Sequence, residues 1–174
     1  MYLVTFFILL AVVVFGTMIR AGWLGAPWVP TFKKTVLEQI KLASIKPGEI
    51  VYDLGCGDGR WLFKAAKLTQ AKKLIGYEIS VLPYLLAQIG RLFSQNRARV
   101  EIRFKNYFLE NLSSADVVYC FGLPEVTRRL EPKLSAELKP GSRLVSYVFR
   151  LPHKQPAAVF RFKPTGQASY LYQY

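Results

Sequence analysis

The sequence predicts an α/β fold, a doubly wound and mostly parallel sheet of seven strands that ends in an antiparallel hairpin and follows one apolar N-terminal helix. Three observations carry this. Short β-branched runs alternate with stretches of helical apolar spacing between residues 32 and 149, the pattern of a parallel sheet with crossover helices. A glycine-dense turn, 55–59, ends the first of those strands. The last two strands are joined by Lys163-Pro164-Thr165-Gly166, too short a link for a crossover helix, so that pair runs antiparallel.

The elements follow in order. Residues 1–19 carry no charge, and Leu3, Val4, Phe6, Phe7, Ile8 and Leu9 open a run long enough, at about 1.5 Å per residue, to cross ~30 Å of hydrocarbon. Residues 1–20 therefore read as a transmembrane helix. A cleaved signal peptide carries basic residues ahead of a shorter apolar core, whereas Arg20, the first basic residue here, comes after it. Arg20, Lys33, Lys34, Lys41 and Lys46 follow the helix, and the positive-inside rule then puts the rest of a single-pass membrane protein in the cytoplasm. Trp23 and Trp28 fall where interfacial aromatics belong.

Residues 21–30, rich in Gly, Pro and Trp, read as an irregular connector, and 31–174 as one domain. Val36, Leu37, Ile40 and Ala43 recur at helical spacing in 32–44, which Pro47-Gly48 closes. Strand 50–54 leads through the glycine turn into helix 60–68, with Leu62, Ala65 and Ala66 inward. Strand 74–79, helix 81–94 with Pro83 in its first turn, and strand 100–104 continue the alternation. Strand 116–121, helix 124–138 and strand 143–149 complete it, and 158–162 with 168–172 form the hairpin.

A chain of 174 residues has room for one compact domain beside the helix, hence for one active site. Its 24 Lys plus Arg against 11 Asp plus Glu give a net charge of +13, which favours an anionic neighbour, whether a lipid surface, RNA or an acidic protein. The two cysteines, Cys56 and Cys120, show no pairing signature and no Cys/His cluster, so neither a disulfide framework nor a metal site is indicated.

In a doubly wound sheet, ligands sit beyond the carboxyl ends of the strands, where the first turn meets its helix. Here that turn is Asp53-Leu54-Gly55-Cys56-Gly57-Asp58-Gly59. Glycines at 55, 57 and 59 let a ligand lie directly against the backbone. The run is not the dinucleotide fingerprint, because Arg60 follows where the spacing departs from G-x-G-x-x-G, and it is no P-loop, since no Gly-Lys-Ser/Thr follows. An acid opening the turn is a poor partner for pyrophosphate but a good one for an ammonium group. Glu78, 19 residues beyond Gly59 at the end of the second strand, can accept hydrogen bonds from both hydroxyls of a ribose. A nucleoside that carries an amino-acid-like cation satisfies both, which describes S-adenosylmethionine better than NAD.

These residues resemble motif I and the following acidic motif of the class I, Rossmann-like methyltransferases, and the resemblance covers nearly all of 31–174. More narrowly, the apolar N-terminal helix, Pro27-Trp28-Val29-Pro30-Thr31, the run 51–60, Gly76-Tyr77-Glu78-Ile79, Phe121-Gly122-Leu123-Pro124, Leu130-Glu131 and Phe149-Arg150-Leu151-Pro152 are similar to the ATP synthase c-subunit lysine methyltransferase family and its prokaryotic relatives. Those are small membrane-anchored enzymes that methylate lysines of membrane proteins. The resemblance implies that Asp53, Gly55, Cys56, Gly57 and Gly59 hold the methionine part of S-adenosylmethionine and Glu78 its ribose. Tyr77 and Ile79 would flank the adenine, with Asn106 at a position that often carries Asp, and Tyr107 beside it. Phe121 and Gly122 would lie at the methyl group, with Pro124 in the same catalytic stretch. The Asn/Asp-Pro-Pro-aromatic motif of amino-adenine and glutamine methyltransferases is absent, which speaks against those substrates.

A lysine nucleophile, ordinary pKa ~10.4, must lose a proton before attack, which an apolar pocket and a cationic cofactor both promote. Trp28, Pro30, Thr31, Pro152 and His153 are the candidates for the rim of that pocket. Plainer roles stand beside these: His153 as an exposed loop residue, Phe121 as packing, Trp28 as an interfacial anchor and Glu125 as an acid at a helix start. The leading reading is a lysine methyltransferase acting on membrane proteins, without metal, its basic surplus a solvated lipid-facing surface rather than a nucleic-acid site. A methyltransferase for RNA or a small molecule, and a silent cofactor-binding module, are the alternatives.

Overall fold

A computed structural model describes residues 2–24, 28–163 and 166–174, apart from the side chains of Leu10, Trp23 and Leu24. Gly25, Ala26 and Pro27 of the expected connector, Pro164 and Thr165 of the hairpin link, and the side chain of Trp23 lie outside it.

Helix α1 (Tyr2–Leu24) and helix α2 (Lys33–Ala43) precede the sheet. Strands β1 (Ile50–Leu54), β2 (Lys73–Glu78), β3 (Val100–Phe104), β4 (Val117–Cys120) and β5 (Arg143–Tyr147) alternate with α3 (Arg60–Leu68), α4 (Val81–Leu92) and α5 (Pro124–Glu137). Strands β6 (Ala158–Arg161) and β7 (Ala168–Gln173) close the chain. The seven strands form one sheet in the order β3-β2-β1-β4-β5-β7-β6, the first five parallel and β7 antiparallel to both β5 and β6. The order reverses between β1 and β4, and the crevice beyond their carboxyl ends is where such a sheet binds ligands.

Two apolar layers enclose the sheet. On one face Val36, Ile40, Trp61, Leu62 and Ala87 of α2, α3 and α4 pack against Leu74 and Tyr119, while on the other Leu130 and Leu134 of α5 pack with Tyr52, Tyr77 and Tyr172. With both faces covered, β4 is buried at every position, which is why its sequence runs apolar without alternation.

Helix α1 runs past the expected boundary at residue 20, so residues 21–24 of the connector are helical. The physical reason is a contact: Ala21 is buried against the domain, and the Val81 amide at the start of α4 donates to Thr17 Oγ1 at 3.2 Å. Over Tyr2–Gly22 the helix is apolar and long enough to cross a bilayer, by length and composition. Strand β5 stops at Tyr147, two residues short of expectation. Val148 has φ +69°, and the Phe149 amide donates back to the Tyr147 carbonyl at 2.9 Å, a γ-turn that a β-branched residue adopts only under strain. Strand β4 ends at Cys120, releasing Phe121 into the loop before α5, and β2 ends at Glu78, leaving Ile79 beyond it. A single 3-10 turn, Tyr107–Leu109, which the periodicity did not show, follows β3.

Candidate active site

A cleft lies at the reversal point, enclosing about 890 Å³ of empty space when the solvent-open mouth is included. Asp53 enters it from the penultimate position of β1, where it stands in register between Gly76 of β2 and Tyr119 of β4. Its carboxyl group is buried, and Oδ2 meets no hydrogen-bond partner among the described residues. Burial, then the neighbouring Glu78 and Asp58 carboxylates, push the Asp53 pKa well above the ordinary carboxylate range. A buried carboxylate without a partner is a site waiting for a cation.

Glu78 is buried at the end of β2 under the opposite condition. Its Oε2 accepts the Gly57 amide at 2.9 Å, and Oε1 accepts the amides of Ile79 and Ser80 at 2.9 and 2.8 Å. These bonds fix the carboxylate at the cleft and tie the glycine turn to the start of α4. The turn is held again by the Gly55 and Cys56 amides, which both donate to the Tyr77 carbonyl at 2.9 Å.

The glycines do different work. Gly55, at φ +83°, is exposed, lines the cleft, and a Cβ there would meet nothing within 4 Å, so its backbone is open to a ligand. A Cβ on Gly57 would fall 2.8 Å from the Trp28 indole, so the ring lies on the turn itself. Gly59 does not line the cleft: a Cβ there would strike Phe63 at 2.7 Å, and its missing side chain serves the α3–α4 packing instead. Cys56 lines the cleft, but its Sγ is turned toward Gly76 and Leu62. Burial and the nearby Asp53 raise the Cys56 thiol, and Cys120 is pushed up to about 12 for the same reasons, so neither is a thiolate nucleophile.

Of the residues expected at the site, Ile79, Asn106, Tyr107, Phe121 and Gly122 line the cleft, as do Trp28, Pro30 and Thr31. Asn106 Oδ1 is already engaged, accepting the Phe108 amide at 3.0 Å as the cap of the 3-10 turn. Tyr77 lines the cleft as well, while its ring packs against Tyr52 and Arg103 donates to its hydroxyl at 3.1 Å. Pro124 stands exposed at the first turn of α5, off the cleft. Pro152 and His153 are also outside it. The amide of His153 and its Nδ1 both reach the buried Glu131 carboxylate of α5, at 3.1 and 3.0 Å, and the imidazole is 86% exposed.

Several lining residues went unseen in the sequence. Arg60, read there only as breaking a fingerprint, is held by Asp58 at 2.9 Å and donates to the Thr31 carbonyl at 3.1 Å, which pins the segment before α2 over the turn. Trp61 and Tyr119 stack in parallel, centroids 4.5 Å apart, and form the floor beside Asp53. Lys105 and Ala21 complete opposite parts of the wall. Pairings between distant elements left no local signal, although an acid two residues before Arg60 was visible.

A parallel sheet with this order, a reversed last strand, an open glycine backbone and two acids at one crevice define a Rossmann-like, S-adenosylmethionine-dependent methyltransferase. Residues 53–158 match the ANTKMT methyltransferase domain family, and the chain belongs to that family. It is 39% identical over 85% of its length to a protein-lysine N-methyltransferase of Saccharolobus islandicus, of which it spans 92%. With the human ATP synthase c-subunit lysine N-methyltransferase it shares 29% identity over 75% of its length, spanning 54% of that protein. Its fold superposes with a TM-score of 0.79, at 31% identity over 83% of this chain and 93% of the other, on an RNA methyltransferase from Salinibacter ruber bound to S-adenosyl-L-homocysteine. The chain is thus an enzyme that uses S-adenosylmethionine, and its Saccharolobus and human relatives are lysine methyltransferases.

Proposed function

We propose that this enzyme methylates lysine side chains of membrane-associated proteins from the cytoplasmic face, tethered by α1. The observation that carries the reading is the buried Asp53 carboxyl group, whose Oδ2 meets no partner among the described residues, beside an open glycine backbone and a fixed Glu78, in a chain whose relatives include lysine methyltransferases.

When bound, S-adenosylmethionine supplies an electrophilic methyl group on a sulfonium. Asp53 would hold the ammonium of its methionine part together with the open backbone of 55–57, and Glu78 would accept from the ribose hydroxyls through lone pairs the turn leaves free. Ile79, Asn106 and Tyr107 line the adenine end. Phe121 and Gly122, just past β4, border the place where the nucleophile arrives, and Trp28, Pro30 and Thr31 roof it. Aligning a lysine there and excluding water are the protein's main tasks. Asp53, Asp58 and Glu78 are the acids among the described lining residues, and each is committed to the cofactor side or to Arg60. Deprotonation of the lysine then rests on desolvation under the aromatic roof, which favours the neutral amine.

A second reading, methylation of RNA, has the Salinibacter structure and the +13 charge behind it. One experiment separates the two. The detergent-solubilised enzyme is incubated with radiolabelled cofactor and with membranes and RNA from a strain lacking it, and the labelled group is mapped by mass spectrometry. A labelled lysine of a membrane protein is expected; label in RNA or lipid overturns the assignment.

A further inference from the structure

Helix α4 is built inside out for a protein in water. Its outward stripe is Leu82, Leu85, Leu86, Ile89, Leu92 and Phe93, at helical spacing, all exposed and the last of them 84% so. Its inward side carries the polar groups. Gln88 Nε2 donates to the Tyr84 hydroxyl at 2.7 Å, and Arg91 Nε donates to the Val100 carbonyl at 2.5 Å. Only small residues, Pro83 and Ala87, are buried along it. An amphipathic helix on a soluble domain turns its apolar stripe to the core and its charges to water, so a continuous outward stripe marks a non-aqueous neighbour.

The position of that stripe says which neighbour. The apolar span of α1 runs Tyr2–Gly22, and α4 begins where Val81 bonds Thr17, five residues inside the end of the span, about 7 Å deep at ~1.5 Å per residue. Whatever lipid surrounds the last turns of α1 therefore also reaches the first turn of α4. Beyond the far end of the stripe Lys67 and Arg97 are exposed, cations of the kind that sit among anionic headgroups.

We propose that the outer face of α4 lies in the headgroup and upper acyl region of the bilayer, so that the domain rests on the membrane rather than swinging from its tether. The proposal rests on the reading of α1 as a membrane span. Ala21 lines the active-site cleft, and a domain seated this way holds the cleft mouth at the membrane surface. The substrate lysine then belongs to a segment emerging directly from the bilayer, not to a distal soluble domain.

The test uses the full chain in phosphatidylcholine vesicles containing a minority of phosphatidylglycerol. Because Cys56 and Cys120 are buried, single cysteines introduced as Leu85→Cys, Ile89→Cys or, as a control on α5, Arg128→Cys accept an environment-sensitive fluorophore selectively. Labels at 85 and 89 are expected to shift to the blue and to be quenched by shallow nitroxide lipids at least ~2-fold more than the label at 128, as for an interfacial helix. Water-like emission at 85 and 89 from chains that resist alkaline extraction overturns the seating of α4 and leaves the α1 reading intact. Shielding that grows with the protein-to-lipid ratio, without lipid quenching, also overturns it, in favour of a second copy. Chains extracted by alkali refute the span and the seating together. In the same vesicles Leu85→Glu/Ile89→Glu is expected to lower methylation of a membrane-embedded substrate ~10-fold or more while leaving a soluble lysine peptide unaffected, the loss of effective concentration that a mispositioned domain brings; equal rates on the embedded substrate count against the proposal.

Discussion

Asp53 and Glu78 are both buried carboxylates, on neighbouring strands and in one cleft, yet the protein treats them oppositely. Three backbone amides satisfy Glu78, whereas Asp53 Oδ2 meets no partner among the described residues and its pKa is held well above the usual range, first by burial and then by Glu78. The contrast separates a carboxylate that builds the site from one the site leaves uncompensated. A hydrogen-bonded anion can lend spare lone pairs to neutral hydroxyls, while an orphaned one is stabilised most by a positive charge. That division matches a ligand with a ribose at one end and an ammonium at the other.

Substitutions sharpen or break this contrast, in descending order of effect. Asp53→Asn is expected to weaken S-adenosylmethionine binding by ~30-fold or more, the ~2 kcal/mol lower bound for removing one partner of a buried charge pair, while melting at a temperature equal to or above the wild type. Calorimetric affinity and thermal melting read the two together; unchanged affinity would remove Asp53 from the cation role. Glu78→Gln keeps the shape but exchanges charge-assisted bonds for neutral ones, so both stability and affinity should fall, each by about 1–2 kcal/mol. A variant that lost affinity alone would show that the three amide bonds carry little of the turn. Gly59→Ala is expected to cost about 1–3 kcal/mol of stability, since its Cβ meets Phe63 at a left-handed φ, with cofactor affinity of the folded protein little changed. His153→Ala, at an exposed ring off the cleft, should leave methylation rates within about twofold and stability within about 0.5 kcal/mol.

What the sequence disclosed follows the same line between local and distant causes. The glycine turn, the acid that opens it and the acid ending the next strand were legible because each is fixed by its own backbone position. The alternation of elements and the reversed hairpin were legible because periodicity and link length are local as well. The opposite fates of the two acids were not, since they depend on which amides fold back to meet Glu78. Nor did spacing show that Arg60 staples Thr31, that Trp61 stacks on Tyr119, or that His153 bonds Glu131, all of them pairings across the fold. Helix α4 makes the point most clearly: its place in the alternation was legible, but which way its apolar stripe faces is decided by the sheet beneath and by α1 beside it.

Proton exchange on cofactor binding tests the central claim most directly. A raised pKa in the free protein means that Asp53 holds its proton to higher pH than an ordinary carboxylate, and a cation arriving beside it lowers that pKa and favours loss of the proton. Titrations of S-adenosylmethionine are therefore run from pH 5 to 7, below the ~7.7–8.0 at which an α-amine begins to titrate, in buffers of differing ionisation enthalpy. The wild type should release protons on binding, with affinity that rises with pH wherever it does so, and Asp53→Asn should release none. Binding by the wild type without proton release, or the same release from Asp53→Asn, would contradict the account.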